Sequence, residues 1–221
     1  METKNQKFIF FLGVKFQEKL KKKIKFGFLQ QRKQKKKVLE KQKTVSEFVL
    51  LVDKKDKEIG LLEKEKAHQG RGVLHRGFLV LIFRKKDEIL LQKRSSKKPL
   101  FPEYWDGACA SHPQKGEGYI SAGKRRLKEE LGFSCELKFL GKFFYFAPYG
   151  KKAEREICGV LKGEYDGEIN FNPDEVSEIK WEKIKNLKKK IKKYPQIFTP
   201  WFRIAFRKYI DRNKKEGKIE L

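Results

Sequence analysis

The sequence is poor in acid: 29 Asp and Glu face 55 Lys and Arg over 221 residues, a formal charge of +26. Such an excess attracts anions of every kind without selecting one. Cysteine is equally scarce. Cys109, Cys135 and Cys158 contain no CxxC pair, and their odd number argues against a disulfide framework and for a reducing cytoplasm. Long apolar runs are missing too. The stretch Phe8–Leu12 holds five residues, and a bilayer-crossing helix needs about 20. No RNA-recognition signature, zinc-finger spacing or glycine–arginine repeat occurs, so no specific nucleic-acid partner is expected, only nonspecific polyanion contact through the basic arm.

That arm is residues 1–43, with 15 Lys and Arg against 3 Glu. Its Lys- and Gln-rich composition predicts a disordered or helical extension, because like charges resist compaction. A folded domain is expected over 44–210 and a charged tail over 211–221. Phe48–Val52, Arg76–Phe83, Glu88–Gln92, Leu137–Phe146 and Glu156–Leu161 read as strands, and Glu178–Trp181 as a short one. Tyr119–Leu131 reads as a helix with Ile120, Leu127 and Leu131 inward and Gly132 as its stop. Ile184, Leu187 and Ile191 mark a second helix, and Trp201–Tyr209 a third behind Pro200. Mixed strands and helices point to an α/β or α+β sandwich.

Histidine is the informative rare residue. His68, His75 and His112 are the only three in the chain. Glu154 and Glu156 alternate on one predicted strand, so both can face one side. Imidazoles with carboxylates and no thiolate suit Mg, Mn, Zn or Fe and argue against a structural zinc site. A basic set accompanies them: Lys64 lies before His68, Arg94 and Lys98 follow the third strand, and Arg126 sits one helical turn from Glu130. Metal ions with Lys and Arg clamps are a common means of holding diphosphate.

The segment SHPQKGEGYISAGKRRLKEELGF, residues 111–133, resembles a Nudix box. Glu117, Arg125, Glu129, Glu130 and Gly132 fit its spacing, with Ser111 at the usual starting Gly. Arg126 stands where a Nudix hydrolase has a metal-binding Glu, and the Arg125-Arg126 pair is similar to that of type I isopentenyl-diphosphate isomerases. FVLLVDKKDKEIGLLEKEKAHQ, GRGVLHRGFLVLIF, LLQKRSSKKPLFPEYWDGACASHP, EREICGVL, NPDEV and FTPWF resemble further parts of that family, over about residues 48–205. The resemblance implies a Nudix-type α/β/α sandwich with a mixed β-sheet. It implies an isomerase of isopentenyl diphosphate with a Mn2+, Mg2+ or Zn2+ site on His68, His75, His112, Glu154 and Glu156. It also implies a substrate-bridging Mg2+ on Glu130, and a substrate site of Lys64, Arg94, Lys98, Arg126 and Trp201. Glu156 and Tyr145 match the family's catalytic pair.

One match fails. Ala110 occupies the position where the family usually has a catalytic Cys, and Asp106-Gly107 replaces the usual Thr-Asn before it. Ala110 transfers no proton, and adjacent residues of an extended segment face opposite ways. Three readings therefore stay open: an isomerase using Cys109 or water, a Nudix hydrolase of a diphosphate compound, and a catalytically weak diphosphate-binding protein.

Overall fold

Every second residue from Phe78 to Ile82 faces one side of a sheet and the intervening residues face the other, yet all are buried. A strand apolar on both faces belongs in the middle of a covered sheet. The computed structural model, which describes residues 47–211 except Lys86, places this strand, β3 (His75–Arg84), at the centre. Along one edge β3 pairs in parallel with β8 (Lys152–Glu164), from His75↔Glu156 to Phe83↔Glu164. Its other edge is shared in succession by β1 (Phe48–Val52), β6 (Cys109–Ser111) and β4 (Glu88–Arg94). β2 (Glu58–Glu63) extends β1, β5 (Trp105–Asp106) and β9 (Val176–Lys183) flank β4, and β7 (Leu137–Tyr149) flanks β8.

Two cores result, one per face. Phe78, Val80, Ile82, Leu90 and Leu161 meet Leu127 and Leu131 of helix α2 (Tyr119–Leu131). Leu79, Leu81, Leu91 and Val160 meet Leu187 of α3 (Ile184–Lys193) and Trp201, Phe202 and Ala205 of α4 (Pro200–Ala205). Each fully buried Leu contributes about 2 kcal/mol. A short α1 (Lys64–Ala67) follows β2. This is the expected α/β/α sandwich with a mixed sheet.

Several elements differ from expectation. The β1–β2 hairpin is closed by Asp53, whose carboxylate accepts the Lys55 and Lys57 N–H groups. Glu58–Glu63 carries little apolar alternation to announce a strand. β8 begins four residues early and β7 runs through Pro148, which its unpaired outer edge tolerates. Ile120, expected inward, is 41% exposed. The buried face of α2 runs instead through Ala122, Gly123, Leu127 and Glu130. A Cβ on Gly123 would lie 2.5 Å from Leu161 Cδ1, so the helix sits against the sheet only because that residue lacks one. The last helix is α-helical to Ala205 and widens into a π turn over Phe206–Ile210. The expected extension over 1–43 and the tail beyond Asp211 lie outside the described residues. No described helix is long and apolar enough to cross a membrane.

Candidate active site

The parallel pairing of β3 with β8 sets the site's register. His75 opens β3 directly across from Glu156, and Tyr145 of β7 stands across from Glu156 on the other side. His68 ends α1 and His112 follows β6. One ligand atom from each of His68, His75, His112, Glu154 and Glu156 falls within 4.8 Å of all the others. His68 Nε2 lies 2.9 Å from Glu154 Oε2, and His112 Nε2 lies 2.9 Å from Glu156 Oε1. His75 Nε2 lies 3.3 Å from that same Oε1 and 3.1 Å from His112 Nε2.

The tautomers follow from the backbone. His68 Nδ1 is 2.6 Å from the Lys64 carbonyl and His75 Nδ1 is 2.8 Å from the Val73 carbonyl. A carbonyl only accepts, so both Nδ1 atoms donate, which turns each Nε2 toward the cluster. Converging ring nitrogens and two carboxylates among buried groups are a donor set that fits a divalent cation. Burial drives the His112 pKa down to about 4 against the pull of Glu156. Burial alone would raise Glu156, but hydrogen bonds from His112 and His75 hold it well below the usual carboxylate range.

Glu156 Oε2 accepts the Tyr145 hydroxyl at 2.7 Å. Burial and the Glu156 charge push the Tyr145 pKa well up, so the phenol keeps its proton. A Cβ on Gly77 would lie 2.3 Å from Glu156 Oε2. The carboxylate thus occupies the space a side chain would fill. Gly77→Ala is expected to leave the far-ultraviolet circular dichroism unchanged and to cut activity about 100-fold, the cost of an ångström's displacement of a reacting group. Steady-state kinetics check it.

These groups border a cleft open to solvent. Lys64, Arg94, Lys98 and Trp201 line it together with His68, His112, Tyr145, Glu154 and Glu156. Lys64 pairs with Glu47 at 2.5 Å. Arg94 donates to the Leu100 and Phe101 carbonyls, both at 3.0 Å, so it also shapes the loop above the cleft. Lys98 and Arg126 meet on Glu175, whose carboxyl they hold down at about 2 against the opposing effect of burial. Arg126 also holds Glu130 Oε1 at 2.6 Å. Glu130 is fully buried, lies outside the five-residue cluster, and its Oε2 has no hydrogen-bond partner.

The expectation for Cys109 is corrected. Its side chain is buried on the α2 side of the sheet, where the thiol donates to Glu130 Oε1 at 3.3 Å. β6 is regularly extended against β3, so Ala110 alone of the two faces the cleft. Burial and the Glu130 charge also push the Cys109 pKa well up. Sequence reasoning missed three neighbours. Cys158 lines the cleft two residues beyond Glu156, where strand alternation would have found it. Glu175 had no local signal, because its role depends on Lys98 and Arg126 converging from other elements. Asp106 was visible only as a departure from the family pattern.

Residues 73–202 match the NUDIX domain family. Isopentenyl-diphosphate Delta-isomerase 2 of Photorhabdus laumondii is 39% identical over 160 residues, covering 72% of this chain and 90% of that protein. The isopentenyl-diphosphate Delta-isomerase of Haloarcula marismortui is 37% identical, covering 74% of this chain and 91% of its own. That of Serratia proteamaculans is 35% identical, covering 78% and 96%. Among solved structures, a Deinococcus radiodurans protein superposes with a TM-score of 0.60 at 23% identity, over 74% of this chain and 99% of that one, a likeness of fold. The chain belongs to the Nudix family and, within it, to the isopentenyl-diphosphate Delta-isomerases.

Proposed function

We propose that this protein converts isopentenyl diphosphate to dimethylallyl diphosphate by adding a proton at the terminal alkene carbon and removing one from the carbon two positions along. The observation that carries this reading is the Tyr145–Glu156 pair, 2.7 Å apart in a cleft walled by Trp201 and lined by Lys64, Arg94 and Lys98. His68, His75, His112, Glu154 and Glu156 would hold a Mn2+, Mg2+ or Zn2+ ion, and Glu130, whose Oε2 has no hydrogen-bond partner, would be the residue to hold a Mg2+ that accompanies the diphosphate. These ions would supply charge neutralisation at the diphosphate and hold Glu156 in place. The chain's own part is orientation and proton movement. Lys64, Arg94 and Lys98 supply cationic charge at the diphosphate end, with Arg126 behind Lys98. Glu156 delivers the proton to the alkene, while the Tyr145 hydroxyl donates a hydrogen bond to its Oε2. The Trp201 ring faces the tertiary cation that this creates and stabilises it without reacting.

The second proton is taken by water beside the Ala110 methyl, the position where the family usually has a Cys. Ala110→Cys is accordingly expected to raise kcat by about tenfold or more, within the range a positioned acid or base contributes. No gain in kcat would refute water's role. The reaction itself is tested by incubating the protein with isopentenyl diphosphate and Mg2+ in heavy water. Deuterium in the methyl groups of dimethylallyl diphosphate supports isomerisation. Phosphate release without rearrangement would replace it with diphosphate hydrolysis. The basic surface has a separate, nonspecific affinity for polyanions, and the cytoplasm is the compartment that suits three free thiols.

A further inference from the structure

Asp106 is fully buried at the end of β5, behind the cleft wall and not in contact with the cleft. Both of its carboxylate oxygens accept the same donor, the indole N–H of Trp201, at 2.8 and 3.1 Å. Oδ1 also accepts the Gly107 N–H at 2.8 Å, and Arg94 Nη1 lies 3.6 Å from Oδ2. Backbone contact reinforces this: the Thr199 N–H donates to the Trp105 carbonyl at 2.9 Å, tying the start of α4 to β5. The Trp201 ring has Tyr145 5.7 Å away, the edge of Phe101 at 5.2 Å, and the Arg94 guanidinium at 5.3 Å. Burial pushes the Asp106 carboxyl up to about 6, despite Arg94 and the N–H donors. A charge kept in so unfavourable a place is a cost in stability that needs a return elsewhere.

We propose that Asp106 is a positioning residue for Trp201, fixing the indole edge so that one ring face is presented to the cleft and made more electron-rich. A carboxylate on the N–H pushes electron density into the ring, which strengthens the attraction of its face for a cation. Arg94 lies close enough to the same ring to oppose this, and Asp106 offsets that charge as well. The effect on turnover rests on the isomerase reading; the clamp on the ring does not.

The test is a double-mutant cycle with an independent spectroscopic readout. Asp106→Leu removes both acceptors and keeps the number of side-chain heavy atoms. It is expected to lower kcat roughly 30-fold while KM changes by less than about threefold, since the cation exists only in the transition state. With Trp201→Phe already in place there is no N–H to hold, and Asp106→Leu is expected to change kcat less than about threefold. In the wild-type proton–nitrogen spectrum the Trp201 indole resonance, assigned by its loss in Trp201→Phe, is expected downfield and protected from exchange. Asp106→Leu shifts it upfield and removes the protection. An equal loss of kcat in both backgrounds, or an unmoved resonance, overturns the proposal, as does a rise in KM with kcat intact. If Asp106→Leu does not fold, Asp106→Asn takes its place, and an unmoved indole resonance there overturns it equally. A wild-type protein without isomerase activity would refute the proposed reaction and leave the resonance to decide the clamp.

Discussion

Glu156→Gln is expected to lower kcat by about a thousandfold, within the range that a positioned acid or base contributes. The side chain has two duties, and the amide fails at both. Oε1 lies 2.9 Å from His112 Nε2 and 3.3 Å from His75 Nε2, while Oε2 accepts the Tyr145 proton. An amide has one oxygen, so one of these partners meets an NH2 group. It also takes up no proton at neutral pH, so it has none to deliver to the alkene. The Lys64, Arg94 and Lys98 end of the cleft is untouched, so KM is expected to stay within about threefold. Steady-state kinetics check this, and a variant within tenfold of wild-type kcat would remove Glu156 from the chemistry.

Metal removal is expected to abolish turnover and to lower the melting temperature by roughly 8–16 °C. A ligand a thousandfold above its Kd stabilises the folded state by about 4 kcal/mol, and 1 kcal/mol shifts Tm by about 2–4 °C at this chain length. The physical reason lies in the buried cluster, where three imidazoles and two carboxylates bring one ligand atom each within 4.8 Å of all the others and would be tied together by the cation. Chelation followed by elemental analysis and calorimetry checks the prediction, with Mn2+ or Mg2+ restoring both quantities. Unchanged Tm and turnover in protein shown to be metal-free would end the assignment of the five residues as ligands.

Much of this site could be read before any coordinates. Three histidines in the whole chain and the period-two alternation of Glu154 and Glu156 marked the residues whose ligand atoms the fold brings within 4.8 Å of one another. Alternation also anticipated that Cys109 turns away where Ala110 faces in. What stayed hidden was set by long-range packing. Asp106 and Trp201 are 95 residues apart, and neither carries a local sign of the other. Ile120 was misplaced because three apolar residues at helical spacing do not reveal that Gly123 brings the backbone against Leu161. β2 was overlooked because Glu58–Glu63 is half charged or glycine, and its pairing follows from the Asp53 turn rather than from its own composition.

The parallel pairing of β3 with β8 has a consequence for how the chain is made. During synthesis His68, His75 and His112 emerge well before Glu154 and Glu156. A nascent chain that stops short of β8 therefore holds the three imidazoles without Glu154 and Glu156, and its most apolar strand has one unsatisfied edge. Such an edge is a template for pairing with other chains. The ribosome must deliver residue 164 before β3 is closed on both sides. Completion of the five-residue cluster and protection from aggregation thus arrive in the same step, when β8 docks.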